Sequence, residues 1–281
     1  MSIGITGASG QLGWAVVARL LDVVDAADVV LMSRTVESLS GFAARGVGVR
    51  PVDFGDAPSL APAFEGVDSL LLISTDRVGD RVAGHVAAIE AAKDAGVRHV
   101  VYTSVPNPVP ANPALAAPDH LATEDALRSS GMAWTSLRNN LYADMQLSSL
   151  RHAAEAGRLV VNSGDGRAAY VTRADCAAAA VGALTGGGRT NTAYDVTGPR
   201  ALSAYDLAEL TGAAVEVVQL DDEAYVEALV GSGLAKDAAR FIASFGQAVR
   251  EGYLADVTTA VRDLTGRRPT SLEDLVRPVE P

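Results

Sequence analysis

Residues 3 to 13, Ile-Gly-Ile-Thr-Gly-Ala-Ser-Gly-Gln-Leu-Gly, constrain the fold more tightly than any other stretch of the chain. Short apolar residues run directly into glycines at Gly7, Gly10 and Gly13. From Gln11 an apolar pattern of helical period follows through Leu12, Val16 and Leu20, with Val17 and Leu21 beside them. That order predicts a strand, a tight turn and a helix. The first N–H groups of such a helix have no partner within it and face the turn, so the junction suits an anion such as a pyrophosphate. The glycines divide the work: one turns the chain, one lets backbone approach phosphate, and one lets helix and strand pack closely. The spacing is G-x-x-G-x-x-G rather than G-x-G-x-x-G, and an ordinary βα turn is the competing reading. Position directly after a strand favours the nucleotide site, with Gly7, Ser9, Gly10, Gln11, Leu12 and Gly13 as its candidate residues.

A second strand, Asp28 to Ser33, ends in Arg34 and Thr35. About twenty residues beyond the glycines, an NAD-binding unit carries Asp or Glu for the ribose hydroxyls, whereas an arginine there accommodates a 2′-phosphate. No carboxylate appears here before Glu37. A planar, permanently charged guanidinium suits a phosphate better than a free diol, which favours NADP(H) over NAD(H). A solvated arginine at a strand end is the alternative.

Strands and helices alternate for about 140 residues. Gly48 to Asp53 reads as a third strand and Asp68 to Ser74 as a fourth; a helix from Asp80 to Ala95 leads to a fifth strand, Arg98 to Thr103. A helix from Asp119 to Arg128 precedes a sixth strand, Ala133 to Arg138. Continuous apolar strands alternating with helices predict a doubly wound, mostly parallel sheet of the Rossmann type, with its ligand crevice at the carboxyl ends of the strands. Those ends carry Gly7, Arg34, Asp53-Phe54, Ser74-Thr75, Thr103-Ser104 and Arg138-Asn139. Residues 1–140 are expected to form this nucleotide-binding domain. Residues 141–281 are expected to form a smaller, mainly helical substrate lobe, partly interleaved with the first, with isolated short strands near Leu159–Val161, Ala193–Val196 and Ala214–Gln219. The segment from Val105 to Pro118 holds five of the twelve prolines and reads as a semi-rigid loop beside the cleft.

Composition excludes several rivals. A net charge of −11 disfavours nucleic acid as a partner. The single cysteine, Cys176, cannot form an intramolecular disulfide and reads as a small buried helix residue. The apolar runs are too short or interrupted to cross a bilayer, and no charged-then-apolar leader precedes the first strand, so cytoplasmic residence without a membrane partner is expected. His85, His99 and His152 show no zinc spacing. No G-x-S-x-G elbow or Ser-His-Asp grouping points to hydrolysis. Asp175, after Arg173 at a predicted helix start, reads as a cap.

The segments Thr6–Gly13, Arg34, Asp53-Phe54, His120–Glu124, Trp134–Tyr142 and Tyr170–Ala177 together resemble the NmrA-like branch of atypical short-chain dehydrogenase/reductases, and within it the quinone oxidoreductases and triphenylmethane reductase. The resemblance spans residues 2 to 275. Its glycine motif is common among dehydrogenases; Leu-Arg-Asn-Asn-Leu-Tyr and Val-Thr-Arg-Ala-Asp are the specific parts. The resemblance implies that Arg34 meets the 2′-phosphate, that Asp53 and Phe54 flank the adenine, and that Ser74 and Thr75 line the cofactor midsection. It places Thr103, Arg138 and Asn139 near the nicotinamide.

One departure from the wider superfamily shapes the expected chemistry. The Tyr-x-x-x-Lys pair of ordinary short-chain dehydrogenases is missing, and Asp119-His-Leu-Ala-Thr123 stands in its place. A carbonyl acceptor needs a positioned proton donor. Quinones and cationic dyes take hydride into a conjugated system that spreads or cancels the charge, so positioning beside the cofactor can suffice. The expected function is an NADPH-dependent oxidoreductase acting on a small aromatic or quinoid acceptor. Asn139, Tyr142 and His120 are the candidate catalytic residues. His120 could donate a proton at the cleft or serve as a surface or capping residue; Tyr142 could stack on an aromatic acceptor or pack under the second lobe. A non-catalytic NADP sensor and a reductase of a polycyclic intermediate are the alternatives, and oligomeric state, a homodimer included, is open.

Overall fold

A computed structural model describes residues 1–75, 79 and 81–276. The chain runs β1 (Ile3–Ile5), α1 (Gln11–Leu20), β2 (Val29–Ser33), α2 (Ser40–Ala43), β3 (Gly48–Pro51), α3 (Leu60–Phe64) and β4 (Ser69–Leu72). It continues through α4 (Arg81–Asp94), β5 (His99–Ser104), α5 (Ala117–Ser129), β6 (Ala133–Asn139) and α6 (Ala143–Ala156). Then follow β7 (Arg158–Val161), β8 (Arg167–Ala168), α7 (Arg173–Leu184), β9 (Thr192–Val196), β10 (Leu202–Ser203) and α8 (Ala204–Leu210). The last elements are β11 (Glu216–Gln219), α9 (Asp222–Gly231), α10 (Lys236–Arg250), α11 (Ala260–Thr265) and α12 (Leu272–Val276). Asp80, the expected start of the fourth helix, lies outside the described residues.

Seven strands form one parallel sheet in the order β3-β2-β1-β4-β5-β6-β9. The order reverses between β1 and β4, and the switch point opens a crevice at the carboxyl edge. Strands β1, β2 and β4 are buried along their whole length, as a parallel sheet covered on both faces requires. On one face α1 turns Leu12, Val16, Val17 and Leu20 inward, one stripe of a 3.6-residue period. They meet the alanine-rich face of α7, where Cys176 is buried among Ala177, Ala179 and Ala180. Small side chains let the two helix backbones approach closely. On the other face Phe64, Ile89 and Leu127 of α3, α4 and α5 pack on Leu70, Leu72 and Val100.

Two expectations need correction. Thr192–Val196 is not an isolated short strand; β9 pairs in parallel with β6 and completes the main sheet. Asp175 does not cap its helix, because the Thr172 side chain accepts from the Asp175 backbone N–H. The buried Asp175 carboxylate accepts instead from Thr270 N–H at 2.7 Å and faces Arg267, fastening the C-terminal segment. A third apolar cluster, with Leu150, Leu207, Ala248, Val249 and Leu254 at its centre, holds α6, α8 and α10 together. Among the described residues no helix is long and apolar enough to cross a membrane.

Candidate nucleotide and acceptor site

The glycine turn takes the form its spacing predicts. Gly7 has φ +61°, a left-handed conformation open to glycine at little cost. A Cβ on Gly13 would lie 2.3 Å from the Gly7 carbonyl oxygen, so the third glycine lets α1 sit against the turn. Gly10 is the N-cap of α1; a Cβ there would meet only the Gly7 oxygen, at 3.3 Å, and would otherwise project into open space. The helix start has no side-chain cap and no acidic residue in its first turn. Its N–H groups and the positive end of its dipole are therefore free for an anion.

Around this turn a cleft of about 510 Å³ is lined by Gly7, Ser9, Gly10, Arg34, Asp53, Phe54, Ser74 and Thr75, all anticipated from the sequence. Gln11, Leu12 and Gly13 form the first turn of α1 behind it. Arg34 is exposed, and among the described residues its guanidinium makes no hydrogen bond or ion pair. Beside it the Ser33 hydroxyl lies 2.7 Å from that of Ser9 and accepts from Thr35 N–H at 3.0 Å, fixing the end of β2 against the turn. Asp53 turns its carboxylate back on Gly55 N–H at 2.9 Å. The cleft also takes residues the sequence did not single out: Ser33, Val52, Ile73, Arg81 and Gly84 among them. Gly84 is needed for contact, since a Cβ there would come within 2.9 Å of the Phe54 carbonyl oxygen.

Thr103 is not on the cleft surface. Its Oγ1 accepts from Ser74 N–H at 2.9 Å and donates to Ser74 Oγ at 3.3 Å, so it holds in place a residue that is. Behind this wall, α5 buries a polar stripe: Asp119, His120, Thr123 and Glu124. Each has a partner on another element. Arg81 Nε donates to Asp119 Oδ2 at 3.0 Å, and His85 Nδ1 lies 3.0 Å from Thr123 Oγ1. The Tyr102 hydroxyl lies 2.7 Å from His120 Nδ1. Arg138 Nε and Nη2 grip Glu124 Oε1 and Oε2 at 2.9 and 2.8 Å.

This network reassigns two candidates. The Arg138 guanidinium is occupied by Glu124, which also pairs with Arg128 at 2.6 Å, and the hydrogen bonds to Glu124 raise its pKa further. It joins β6 to α5 and does not line the cleft. His120 is neither a surface residue nor a helix cap; it is buried, and burial, reinforced by Arg81 and His85, pushes its pKa well below the ordinary value, so the ring is neutral. His85 is fully buried. Its Nε2 accepts from Thr75 N–H at 3.2 Å, so Nδ1 carries the proton toward Thr123, whose hydroxyl donates to the Asp119 carbonyl at 2.8 Å. Burial, with Arg81 adding to it and Asp119 opposing, holds His85 down at about 4.

At the carboxyl end of β6, Asn139 is buried and its Oδ1 has no hydrogen-bond partner, as is true of Ser104 Oγ at the end of β5. Asn139 opposes the effect of burial on the pKa of the Tyr142 phenol, and the Arg173 guanidinium stands 4.9 Å over the Tyr142 ring. Burial raises the Tyr142 pKa, so the phenol is neutral. Tyr142 bridges to Val171, His120 stands on α5, and none of Asn139, Tyr142 and His120 is among the residues lining the cleft.

Comparison with known proteins agrees with this geometry. A family model described as NAD(P)H-binding matches residues 7–186. Quinone oxidoreductase 2 of Escherichia coli is 37% identical over 278 residues, covering 98% of this chain and 97% of that protein. The crystal structure of NADPH-dependent quinone oxidoreductase from Escherichia coli complexed with NADPH superposes with a TM-score of 0.92 at 36% identity, covering 98% of both chains. The Citrobacter sp. triphenylmethane reductase complexed with NADP(H) follows at a TM-score of 0.89 and 33% identity, covering 98% of this chain and 99% of that one.

Proposed function

The chain belongs to the NAD(P)H-binding, NmrA-like family of oxidoreductases, and from that premise we propose that it is an NADPH-dependent reductase of quinone-like or extended conjugated acceptors. The observation that carries the reading is the free guanidinium of Arg34 in the same cleft as the uncapped, acid-free start of α1. One site is built for a pyrophosphate and the other for a phosphate on the adenosine ribose.

The residues present fit that cofactor, which supplies the hydride when bound. Arg34 would bind its 2′-phosphate, the Gly7–Gly13 turn would hold its pyrophosphate, and Asp53 and Phe54 would border the adenine. Ser74, held by Thr103, and Thr75, held by His85, form the wall along its middle. The orphaned Asn139 Oδ1 is an acceptor without a donor among the described residues, and it would suit the carboxamide N–H of the nicotinamide. Tyr142, stiffened by Arg173, offers the acceptor an aromatic face. No tyrosine–lysine acid stands at residues 119–123, and His120 is neutral and tied to Tyr102. An acceptor whose reduced form is stable as an anion, or which starts as a cation, needs no such acid at the moment of transfer.

The test is consumption of NADPH, followed by loss of nicotinamide absorbance, against a panel of quinones, triphenylmethane dyes and simple ketones. Turnover with the first two and not the third is expected. Tight NADPH binding without turnover on any of them would make the chain a nucleotide sensor instead.

A further inference from the structure

We infer that Ser74 donates its hydroxyl to an oxygen on the nicotinamide half of the bound dinucleotide, and that Thr103 is the positioning residue that fixes it as a donor; this rests on the cleft being the dinucleotide site. Strand β4 ends at Leu72, and the next three residues all line the cleft. Each of their backbone N–H groups ends on a side chain from a different part of the fold. Ile73 N–H donates to Thr6 Oγ1 at 3.1 Å, Ser74 N–H to Thr103 Oγ1 at 2.9 Å and Thr75 N–H to His85 Nε2 at 3.2 Å. The wall is thus pinned from the end of β1, from β5 and from α4, and its three backbone donors are spent. A donor offered to a ligand here must be a side chain.

Thr103 decides which way the Ser74 hydroxyl works. The Thr103 oxygen spends a lone pair on Ser74 N–H, and its own proton goes to Ser74 Oγ at 3.3 Å. A serine hydroxyl carries a single proton. The Ser74 oxygen already accepts from Thr103, and its proton has no acceptor among the described residues, so that proton is left for the cleft. Ser74 is half-buried on the cleft surface and within reach of a ligand, whereas Thr103 behind it is buried. Strand order gives the half of the ligand. Gly7, Arg34 and Asp53 follow β1, β2 and β3 on one side of the switch point, and β4 opens the other side. In such a sheet the dinucleotide crosses the switch point with its pyrophosphate at the first helix. Ile73 borders the glycine turn, since a Cβ on Gly7 would lie 3.3 Å from Ile73 Cβ. Ser74, the next residue, therefore meets the ligand just past its pyrophosphate, on the side away from Arg34.

The experiment is calorimetric titration with NADPH and 2′,5′-ADP of the wild-type protein, Ser74→Ala, Thr103→Val, Thr103→Ser and the Ser74→Ala/Thr103→Val double variant. We expect Ser74→Ala to weaken NADPH by roughly threefold to tenfold, the worth of one hydrogen bond. Its affinity for 2′,5′-ADP, which lacks the nicotinamide half, should not change. Thr103→Val should lose NADPH affinity by a similar factor, and Thr103→Ser, which keeps the hydroxyl, should retain it. Because Thr103 acts through Ser74, the double variant should bind no more weakly than the worse single variant. Wild-type NADPH affinity in Ser74→Ala would overturn the inference and leave the cleft reading intact. Additive losses in the double variant would overturn the role of Thr103, and an equal loss for 2′,5′-ADP would overturn the assignment to the nicotinamide half. Failure of the wild-type protein to bind NADPH or 2′,5′-ADP would overturn the cleft reading itself. Should Thr103→Val not fold, Thr103→Cys takes its place, because a thiol is a weak hydrogen-bonding group; undiminished NADPH affinity in that variant refutes the role of Thr103.

Discussion

The Tyr102 hydroxyl and His120 Nδ1 meet at 2.7 Å inside the α5 interface, and both groups are held neutral by burial. A histidine so placed packs the fold; it is not poised between two protonation states at neutral pH. His120→Ala and Tyr142→Phe should therefore each keep quinone turnover within roughly tenfold, where loss of a true general acid costs about a hundredfold or more. Asn139→Ala should cost more than either, because misplacing the hydride donor by about 1 Å can cost on the order of a hundredfold. The measurement is turnover at saturating NADPH, with deuterium at the transferred position confirming that the hydride step is observed. Collapse in His120→Ala alone would restore a proton-donor mechanism.

Arg34 makes no hydrogen bond or ion pair among the described residues, so its removal should leave the fold intact. Arg34→Ala should weaken NADPH by roughly tenfold to a hundredfold, as expected for a charge-assisted pair to phosphate, and barely alter NADH. Dissociation constants for both cofactors test this, and equal losses would refute it.

Gly10 and Gly13 should fail in different ways. At Gly10 a side chain enters open space where the pyrophosphate is expected, so Gly10→Val should stay folded and lose NADPH binding. At Gly13 a Cβ meets the Gly7 oxygen at 2.3 Å, so Gly13→Ala should lower the melting temperature of the ligand-free protein. Thermal denaturation with and without NADPH separates the two. Normal NADPH titration of Gly10→Val would reduce the glycines to a structural turn.

The neutral His85 makes stability depend on pH. Folded, the ring titrates at about 4; unfolded, near the ordinary 6.5. Between those values the unfolded chain takes up a proton that the folded one refuses, so stability is full above about pH 6.5 and declines as pH falls toward 4. That separation corresponds to about 3 kcal/mol, and His120 acts in the same direction. His85→Gln, whose side-chain oxygen can still accept from Thr75, should flatten the profile. Urea midpoints at pH 7, 6 and 5 provide the check, and parallel curves for the two proteins would refute it.

Much of this was legible in the chain. Strands β1, β2 and β4 announce themselves as apolar runs because both their faces are covered, and the nucleotide turn is written in contiguous residues. The rest depends on long-range pairing. Arg81 and His85 sit one turn apart on α4, as Asp119 and Thr123 do on α5, and each pair closes across 38 residues. The only local sign is that titratable and hydroxyl residues occupy the spacing where α5 should be apolar. Arg138 misled because its position at a strand end says nothing about a carboxylate waiting on α5. Strand β9, Thr-Ala-Tyr-Asp-Val, is mostly half-buried at the sheet edge and lacks the apolar run of an inner strand.

The pairing of β9 with β6 and the packing of α7 on α1 bear on how the protein is made. The glycine turn is synthesised before α7, and the apolar stripe of α1 stays uncovered on that side until α7 has emerged. The edge of β6 stays open until Val196 has followed. A nascent chain halted at residue 140 would carry the entire glycine turn and expose both surfaces, an invitation to aggregation or chaperone capture. The helix behind the glycine turn is thus covered by a segment that supplies none of the cleft's lining residues.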